Sequence, residues 1–217
     1  GWTLLKLMVT RVLPLALIVV AIALFFLVPL AVTGTVLDLS PGPTFWLVEG
    51  GVRVVVLVLY LWSLSFIPDM RRLMQYHAAE HMAIHAYENG QRIEPAAIAN
   101  QPRTHVRCGT AFLLAVMVIA IVVFAVVGDR DNWMLVVSRI VGIPVIAGLS
   151  YEVVRWVARH AGSPLARLVA LPGLALQRLT TRTPEAEHLE VACVALRRLL
   201  AVDQSMLDTE SHVEVLA

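Results

Sequence analysis

Four long apolar stretches constrain the fold of this chain more than any other feature. They cover residues 12–32, 50–67, 111–127 and 133–157. A helix that crosses the hydrocarbon core of a bilayer needs about 20 predominantly apolar residues. Lipid offers no hydrogen bonds, so a spanning segment must satisfy its backbone groups internally, as a helix does. We therefore predict an all-α, polytopic membrane protein with about four transmembrane helices.

The composition of the chain argues against a soluble domain and against a nucleic-acid-binding protein. Hydrophobic residues make up 59% of the chain and charged residues only 15%, whereas soluble domains carry about 25% charged residues. The formal net charge is +1, and no basic patch with interleaved aromatic residues occurs. We therefore expect no nucleic-acid partner. The partners that we expect are membrane lipids and other membrane protein subunits.

The placement of arginine and lysine predicts the orientation of the four helices. Segment 34–49 has none of these residues, segment 68–109 has five, and the chain from Arg155 onward has seven. Positive residues accumulate in cytoplasmic segments, so we expect both termini and segment 68–109 to be cytoplasmic. Cys108 and Cys193 then both lie in a reducing compartment, where a disulfide framework is not expected.

These assignments predict three regions. Residues 1–162 form the transmembrane bundle, with a cytoplasmic insert at 68–109 that carries the candidate site. Residues 163–202 form an interfacial helix, with its arginines toward lipid phosphates, and then a cytoplasmic amphipathic helix that begins near Thr183. Residues 203–217 form an acidic tail that we expect to be mobile.

The cytoplasmic insert contains the stretch YHAAEHMAIHAYE, residues 76–88, which gathers three of the seven histidines. On a helix, His77 and His81 are one turn apart, so both rings can reach one ion. The order His77-x-x-Glu80-His81 is that of the inverted zincins, in which two histidines hold zinc and the glutamate activates water. We therefore expect Glu80 to be the general base. His85 lies two turns from His77, and we assign His85 and Glu88 supporting roles.

A second pair of metal-binding residues precedes the third apolar stretch. In THVRCGT, His105 and Cys108 are three residues apart, a spacing at which an imidazole and a thiolate can chelate one ion. The predicted ligand set is His77, His81, His105 and Cys108, for zinc or another divalent transition metal. Four protein ligands would make a closed structural site, whereas three ligands and a water would make an open catalytic site.

Charged residues within the apolar stretches have two interpretations. Glu49 and Arg53 stand four residues apart, and with Arg139 they could form an anchoring ion pair or line a polar cavity. Near the end of the fourth stretch, Glu152 could support or bind the metal, with Tyr151 and Arg155 beside it. A salt bridge from Glu152 to the Arg71–Arg72 pair is the alternative.

Four motifs resemble those of the YqhQ-type bacterial integral membrane proteins. They are YHAAEHMAIHAYENG, HVRCGTAFL, AGLSYEVVR and PGLALQRLTTRTPEAEHLEVA. The resemblance implies a bacterial inner-membrane protein and a metal-dependent enzyme, with the family's motif positions at Tyr76, His77, Glu80, His81, His105, Arg107 and Cys108. This chain has Val106 where the family usually has proline, and it lacks the family's Gly-rich N-terminal block.

The residues and the resemblance together predict an integral membrane metal-binding protein. The first hypothesis is a metal-dependent hydrolase that acts at the cytoplasmic membrane face. The alternative is a non-enzymatic scaffold, or an accessory subunit of a membrane complex, in which a structural metal locks the insert in place. The number of protein ligands distinguishes the two hypotheses.

Overall fold

The structure, a computed structural model, describes residues 12–40, 42–127 and 132–215, apart from the side chains of residues 22, 127, 132–140 and 205–215. All regular secondary structure in these ranges is helical, which confirms the all-α prediction. The helices are α1 (Leu13–Val36), α2 (Pro43–Leu64), α3 (Pro68–Glu88), α4 (Pro95–Ile98), α5 (Gly109–Val127), α6 (Asn132–Arg159), α7 (Pro164–Thr180) and α8 (Ala186–Val215).

Four of these helices are long and apolar enough to cross a membrane, as predicted. The qualifying segments are Leu13–Val36, Pro43–Leu64, Gly109–Val126 and Val141–Arg159. The second segment begins at Pro43 rather than near residue 50, because the polar residues around Glu49 are part of the helix. At most 17% of the residues in the apolar window of any of these segments are buried within the chain, as expected for helices that face lipid.

An ion pair in α2 is linked to a proline in α1. Arg53 pairs with Glu49, which is buried, and this confirms the predicted contact between the two residues. Arg53 Nε also donates to the carbonyl of Phe25, at 2.9 Å. Phe25 is four residues before Pro29, and proline has no N–H to donate to that carbonyl. Arg53 thus satisfies a backbone group that the proline leaves free. The side chain of Arg139 lies outside the described part.

Two π-helical segments, Ala23–Leu27 and Val32–Val36, flank Pro29 in α1. A π turn is a common way in which a helix accommodates a local disruption of its hydrogen-bond pattern. Both π-helical segments therefore lie beside Pro29, in the same part of α1.

Gly50 of α2 packs closely against Ile121 of α5. A Cβ atom at this position would overlap the side chain of Ile121, with Cγ2 at 2.8 Å and Cδ1 at 2.9 Å. Gly51, its neighbour, has open space around the same position. Small residues allow helices of membrane proteins to pack closely.

The Gly50→Ala substitution is expected to destabilise the protein by about 1–3 kcal/mol, because overpacking forces Ile121 out of position. Gly51→Ala is the matched control, and its effect is expected to be neutral or slightly stabilising. Thermal unfolding of both variants in detergent measures the difference. Equal melting temperatures for the two variants would contradict the close packing of Gly50 on Ile121.

As far as the chain is described, it forms two compact units. One unit comprises the chain up to Leu61 together with Phe112–Ala161, and the other comprises Trp62–Ala111 together with the chain from Gly162. The predicted organisation instead placed insert 68–109 with the transmembrane bundle and treated 163–202 separately. The structure groups the insert with the C-terminal helices.

The core of the second unit lies between α3, α4 and α8. Small residues of α3 allow the close approach, and Cys193 of α8 is fully buried there. The buried members are Ala79, Met82, Ala83, Ala86, Ile98, Leu189 and Cys193.

Helix α8 differs from its prediction at both ends. It begins at Ala186 rather than near Thr183, whose hydroxyl accepts a hydrogen bond from Arg103 Nη1 at 2.8 Å. It continues to Val215, so the predicted end near residue 202 is wrong. No glycine or proline follows Pro184 to terminate the helix.

Helix α7 begins at Pro164, after Ser163, whose hydroxyl accepts from the backbone N–H of Ala166. One face of α7 carries Ala166, Gln177 and Thr180, all buried. On the same face, a Cβ atom at Gly173 would lie 2.8 Å from Cβ of Ala111. This small and polar face packs α7 against the segment that carries the candidate site.

Candidate metal centre

Helix α3 places two histidines on one of its faces. Pro68 occupies the first turn, where its missing N–H costs least. The helix ends at Glu88, and Gly90 adopts φ 65°, a left-handed conformation that glycine accepts readily and that turns the chain back. The chain then returns past α3, so residues 103–108 lie alongside His77, His81 and His85.

His77, His81 and Cys108 come together as a triad. Their potential ligand atoms all lie within 4.8 Å of one another, and His77 Nε2 is 3.2 Å from Cys108 Sγ. His81 and Cys108 are buried, and His77 is half-buried. Zinc binds nitrogen at about 2.0 Å and sulfur at about 2.3 Å, so ligands of one tetrahedral ion lie between 3 and 4 Å apart, roughly. The triad therefore fits such an ion after a small contraction.

Backbone carbonyls orient both imidazoles of the triad. His77 Nδ1 donates to the carbonyl of Thr180 at 3.0 Å, and His81 Nδ1 donates to the carbonyl of Arg103 at 2.7 Å. A neutral imidazole with its proton on Nδ1 has a free electron pair on Nε2. Metal-binding histidines are commonly fixed in this way by a hydrogen bond from the other ring nitrogen.

The electrostatic environment favours the thiolate of Cys108. Burial raises the pKa of this thiol, but hydrogen bonding with His77, His81 and Thr110 outweighs burial and lowers the pKa to about 5. The hydrogen bond to Cys108 also raises the pKa of His77, against a smaller opposing effect of burial. Since the thiolate is the form that binds metal, the site holds its sulfur ligand in the reactive state at neutral pH.

His105 does not join this triad. Its ring lies with His85 and Glu88, and the ligand atoms of these three residues also lie within 4.8 Å of one another. The ring centroids of His81 and His105 are 6.0 Å apart. The four residues of the predicted ligand set are therefore divided between two neighbouring triads.

The second triad is already satisfied by hydrogen bonds. His105 Nδ1 accepts from the backbone N–H of Arg107 at 3.2 Å, so Nε2 carries the proton and donates to Glu88 at 3.2 Å. Glu88 also accepts from Arg107 Nη1 at 2.7 Å. Burial lowers the pKa of His105 despite the carboxylate beside it, which favours the neutral ring. Both ring nitrogens of His105 are in use, so this triad fits a metal less well than the first.

An open cavity of about 480 Å³ borders both triads. Glu80 lines this cavity and is exposed to it, together with His77, His81 and Cys108. The cavity gives a small molecule access to the first triad from the side where Glu80 stands. The cavity wall thus offers two nitrogen ligands, one sulfur ligand and an accessible carboxylate.

Gln177 of α7 holds the loop that carries His105. Its side chain is fully buried, accepting from the N–H of His105 at 2.7 Å and donating to the carbonyl of His105 at 2.8 Å. Sequence reasoning missed this residue and the carbonyl of Thr180. The available signal was the small and polar face of α7, which includes Gly173 and Gln177.

Gln177→Leu is expected to destabilise the protein by about 2–6 kcal/mol, since it leaves two buried backbone groups unpaired at about 1–3 kcal/mol each. Gln75→Leu is the control, because Gln75 makes one exposed hydrogen bond, to the carbonyl of Thr183. Thermal unfolding in detergent compares the two variants. The anchoring role is contradicted if Gln177→Leu melts at or above the temperature of Gln75→Leu.

The residues expected to support the site from the fourth apolar stretch belong to α6. Arg155 Nη1 donates to Glu152 Oε1 at 3.2 Å, and both side chains are exposed, as is Tyr151. In the other unit, Arg72 pairs with Glu187 at 2.7 Å. The Nδ1 atoms of the triad histidines are bound to backbone carbonyls, those of Thr180 and Arg103.

The fold and the candidate site together define a class of protein: an all-helical chain with four membrane-type helices and a His/His/Cys cluster beside an open cavity. The chain belongs to the DUF1385 family, described as a protein of unknown function, whose match covers residues 3–202. It is also 35% identical over 156 residues to the "Uncharacterized protein YqhQ" of Bacillus subtilis (strain 168). That match covers 72% of this chain and 49% of the relative, so the chain spans about half of the relative's length. No solved structure matches the chain.

Proposed function

We propose that this protein is a membrane metalloenzyme that binds zinc, or a similar divalent metal, and hydrolyses a substrate at the cytoplasmic membrane face. The observation that carries the proposal is the triad of His77, His81 and Cys108, with ligand atoms within 4.8 Å and an open cavity beside them. Catalytic zinc sites commonly have three protein ligands and one accessible position.

The protein's own residues have distinct roles in this proposal. His77 and His81 present Nε2 to the ion because Thr180 and Arg103 hold their Nδ1 protons. Cys108 supplies the thiolate. When bound, zinc lowers the pKa of a water ligand to about 7 and polarises carbonyl or phosphoryl groups. Glu80 is exposed in the same cavity, where its carboxylate can accept the proton of an attacking water.

The scaffold hypothesis requires a fourth protein ligand to close the site. His105 was the candidate for that position, and its two ring nitrogens are bound to Glu88 and to the amide of Arg107. An open site with an exchangeable position is therefore the better-supported alternative.

The test of an open site is cobalt substitution. Cobalt(II) replaces the metal of the purified protein, and azide is added while the visible absorption is recorded. A spectrum that changes with azide supports an exchangeable position. A thiolate-to-cobalt spectrum that azide leaves unchanged supports the closed, structural site instead.

The test of catalysis is the hydrolysis of 4-nitrophenyl acetate by the zinc-loaded protein. Glu80→Gln is expected to retain zinc and to lose at least about a hundredfold in rate, the usual contribution of a general base. Glu190→Gln, an exposed carboxylate of α8, is the matched control. Equal rates for the two variants, or equal rates with and without zinc, would contradict the hydrolase.

The cytoplasmic location of the site is part of the proposal. It rests on the five arginines of segment 68–109 and the absence of arginine and lysine from segment 34–49. Single cysteines introduced at Thr35 and at Gln91 in bacterial cells provide the test with a membrane-impermeant maleimide. Labelling at position 35 and protection at position 91 support the orientation, and the reverse pattern contradicts it.

A further inference from the structure

A second cavity lies close to the metal centre and has a different character. It measures about 370 Å³, and its lining is strongly polar. Arg103 and Thr104 line it from the loop that passes α3, and Arg178, Thr181 and Arg182 line it from the end of α7. No residue of this lining is apolar or acidic.

Among the described residues, no acidic side chain forms an ion pair with the three guanidinium groups of this cavity. Other arginines do form ion pairs with carboxylates, as Arg53, Arg72, Arg107 and Arg155 show. The C-terminus of α7 contributes only about half a negative charge through its dipole. Like charges at close range repel, so an anion that entered the cavity would relieve an unfavourable arrangement.

Hydrogen bonds hold the lining in place. Arg103 Nη1 donates to the hydroxyl of Thr183 at 2.8 Å, which fixes its guanidinium at the cavity wall. Thr181 is buried and its hydroxyl donates to the carbonyl of Gln177 at 2.7 Å, so its oxygen can still accept a hydrogen bond. The backbone N–H of Arg182 donates to the carbonyl of Met74 at 3.1 Å. The site is therefore preorganised on both of its walls.

We infer that this arginine cavity, formed by Arg103, Thr104, Arg178, Thr181 and Arg182, binds a phosphate group. Guanidinium groups match the oxygens of phosphate with two parallel hydrogen bonds, and clusters of arginine are the usual means of recognising this group. The inference rests on the cavity alone and holds whether or not the metal centre is catalytic.

The phosphate can belong to a lipid headgroup or to a free phosphate compound. Helix α7, which supplies Arg178, also exposes Leu165, Leu168, Val169 and Leu171. An amphipathic helix with exposed leucines and with arginines beside them is typical of a segment that lies on a lipid surface. A phosphate bound here would contact the loop whose carbonyl groups, at Arg103 and Thr104, hold His81 and His85.

The experiment measures binding to the purified full chain in a neutral detergent by titration calorimetry. The probes are inorganic phosphate, dihexanoyl phosphatidic acid and, as a zwitterionic comparison, dihexanoyl phosphatidylcholine. The variant is Arg178→Gln/Arg182→Gln. Arg197→Gln/Arg198→Gln removes the same charge from α8 and is the matched control. Circular dichroism and a melting curve establish that both variants are folded, and Arg178→Lys tests the same wall while retaining its charge.

Loss of two charged hydrogen-bond donors is expected to weaken phosphate binding by about a hundredfold, since each is worth about tenfold or more. Weaker binding of inorganic phosphate supports the site with a free phosphate as ligand. Weakening for phosphatidic acid alone supports it with a lipid headgroup. The inference is overturned if neither probe binds the unaltered protein, or if the α8 control loses as much affinity as the cavity variant.

Discussion

Replacing Cys108 by serine is expected to reduce the zinc content of the purified protein from about one ion per chain to nearly none. The triad has one sulfur ligand, and a serine hydroxyl does not ionise at neutral pH to replace it. Loss of a residue that only hydrogen-bonds to a metal ligand lowers the metal affinity by about 10–100-fold. Loss of the ligand itself should therefore lower the metal affinity by at least about a hundredfold. Metal analysis by mass spectrometry, after dialysis against zinc buffered at known free concentrations, measures the effect.

Two controls make this result specific. Cys193→Ser removes the other thiol, which is buried in the core of α8, and should retain the metal. His105→Asn should also retain the metal, because His105 belongs to the neighbouring triad. If the Cys108→Ser variant binds as much metal as the unaltered protein, Cys108 is excluded as a ligand. Loss of metal in His105→Asn would restore the four-ligand site predicted from the sequence.

In the metal-free protein, iodoacetamide is expected to modify Cys108 rapidly at pH 7 and Cys193 very slowly. Burial raises the pKa of Cys108, but hydrogen bonding with His77 and His81 has the larger, opposite effect and lowers the pKa to about 5. Burial raises the pKa of Cys193. A thiol whose pKa lies below the working pH is already the nucleophilic thiolate. Cys108 is therefore ionised at pH 7, and Cys193 is protonated.

The pH dependence of this alkylation tests whether the pKa of Cys108 is lowered rather than raised. The rate at Cys108 should be constant above pH 6 and should fall through a midpoint near pH 5, as the thiolate gains a proton. His77→Ala should move that midpoint upward, because it removes the strongest of the lowering hydrogen bonds. Peptide mass spectrometry after timed quenching gives the rates. A rate that still rises between pH 8 and 9 would show an ordinary thiol and would contradict the thiolate.

The sequence predicted the features that depend on local pattern. The four apolar helices follow from runs of the length needed to span a bilayer. The juxtaposition of His77 and His81 follows from the helical period, and the Glu49–Arg53 ion pair follows from the same period. Cys108 lies beside the two histidines, as the predicted ligand set requires, whereas His105 lies in the other triad. Their roles as metal ligands stay predictions.

The features that the sequence did not predict depend on distant contacts. The carbonyl of Thr180 and the side chain of Gln177 reach the site from α7, across 103 and 72 residues of chain. The separation of His105 from Cys108 depends on the conformation of a loop, in which the Arg107 amide turns toward His105. Two residues with suitable spacing for chelation can thus belong to different clusters.

The most direct test of the metal centre is X-ray absorption at the zinc K-edge of the purified, zinc-loaded protein. We predict a first shell with one sulfur at about 2.3 Å and three nitrogen or oxygen atoms at about 2.0–2.1 Å, of which two show the outer-shell scattering of imidazole. This shell corresponds to Cys108, His77, His81 and one exchangeable ligand. A shell without sulfur, or a protein that retains no zinc, would contradict the assignment.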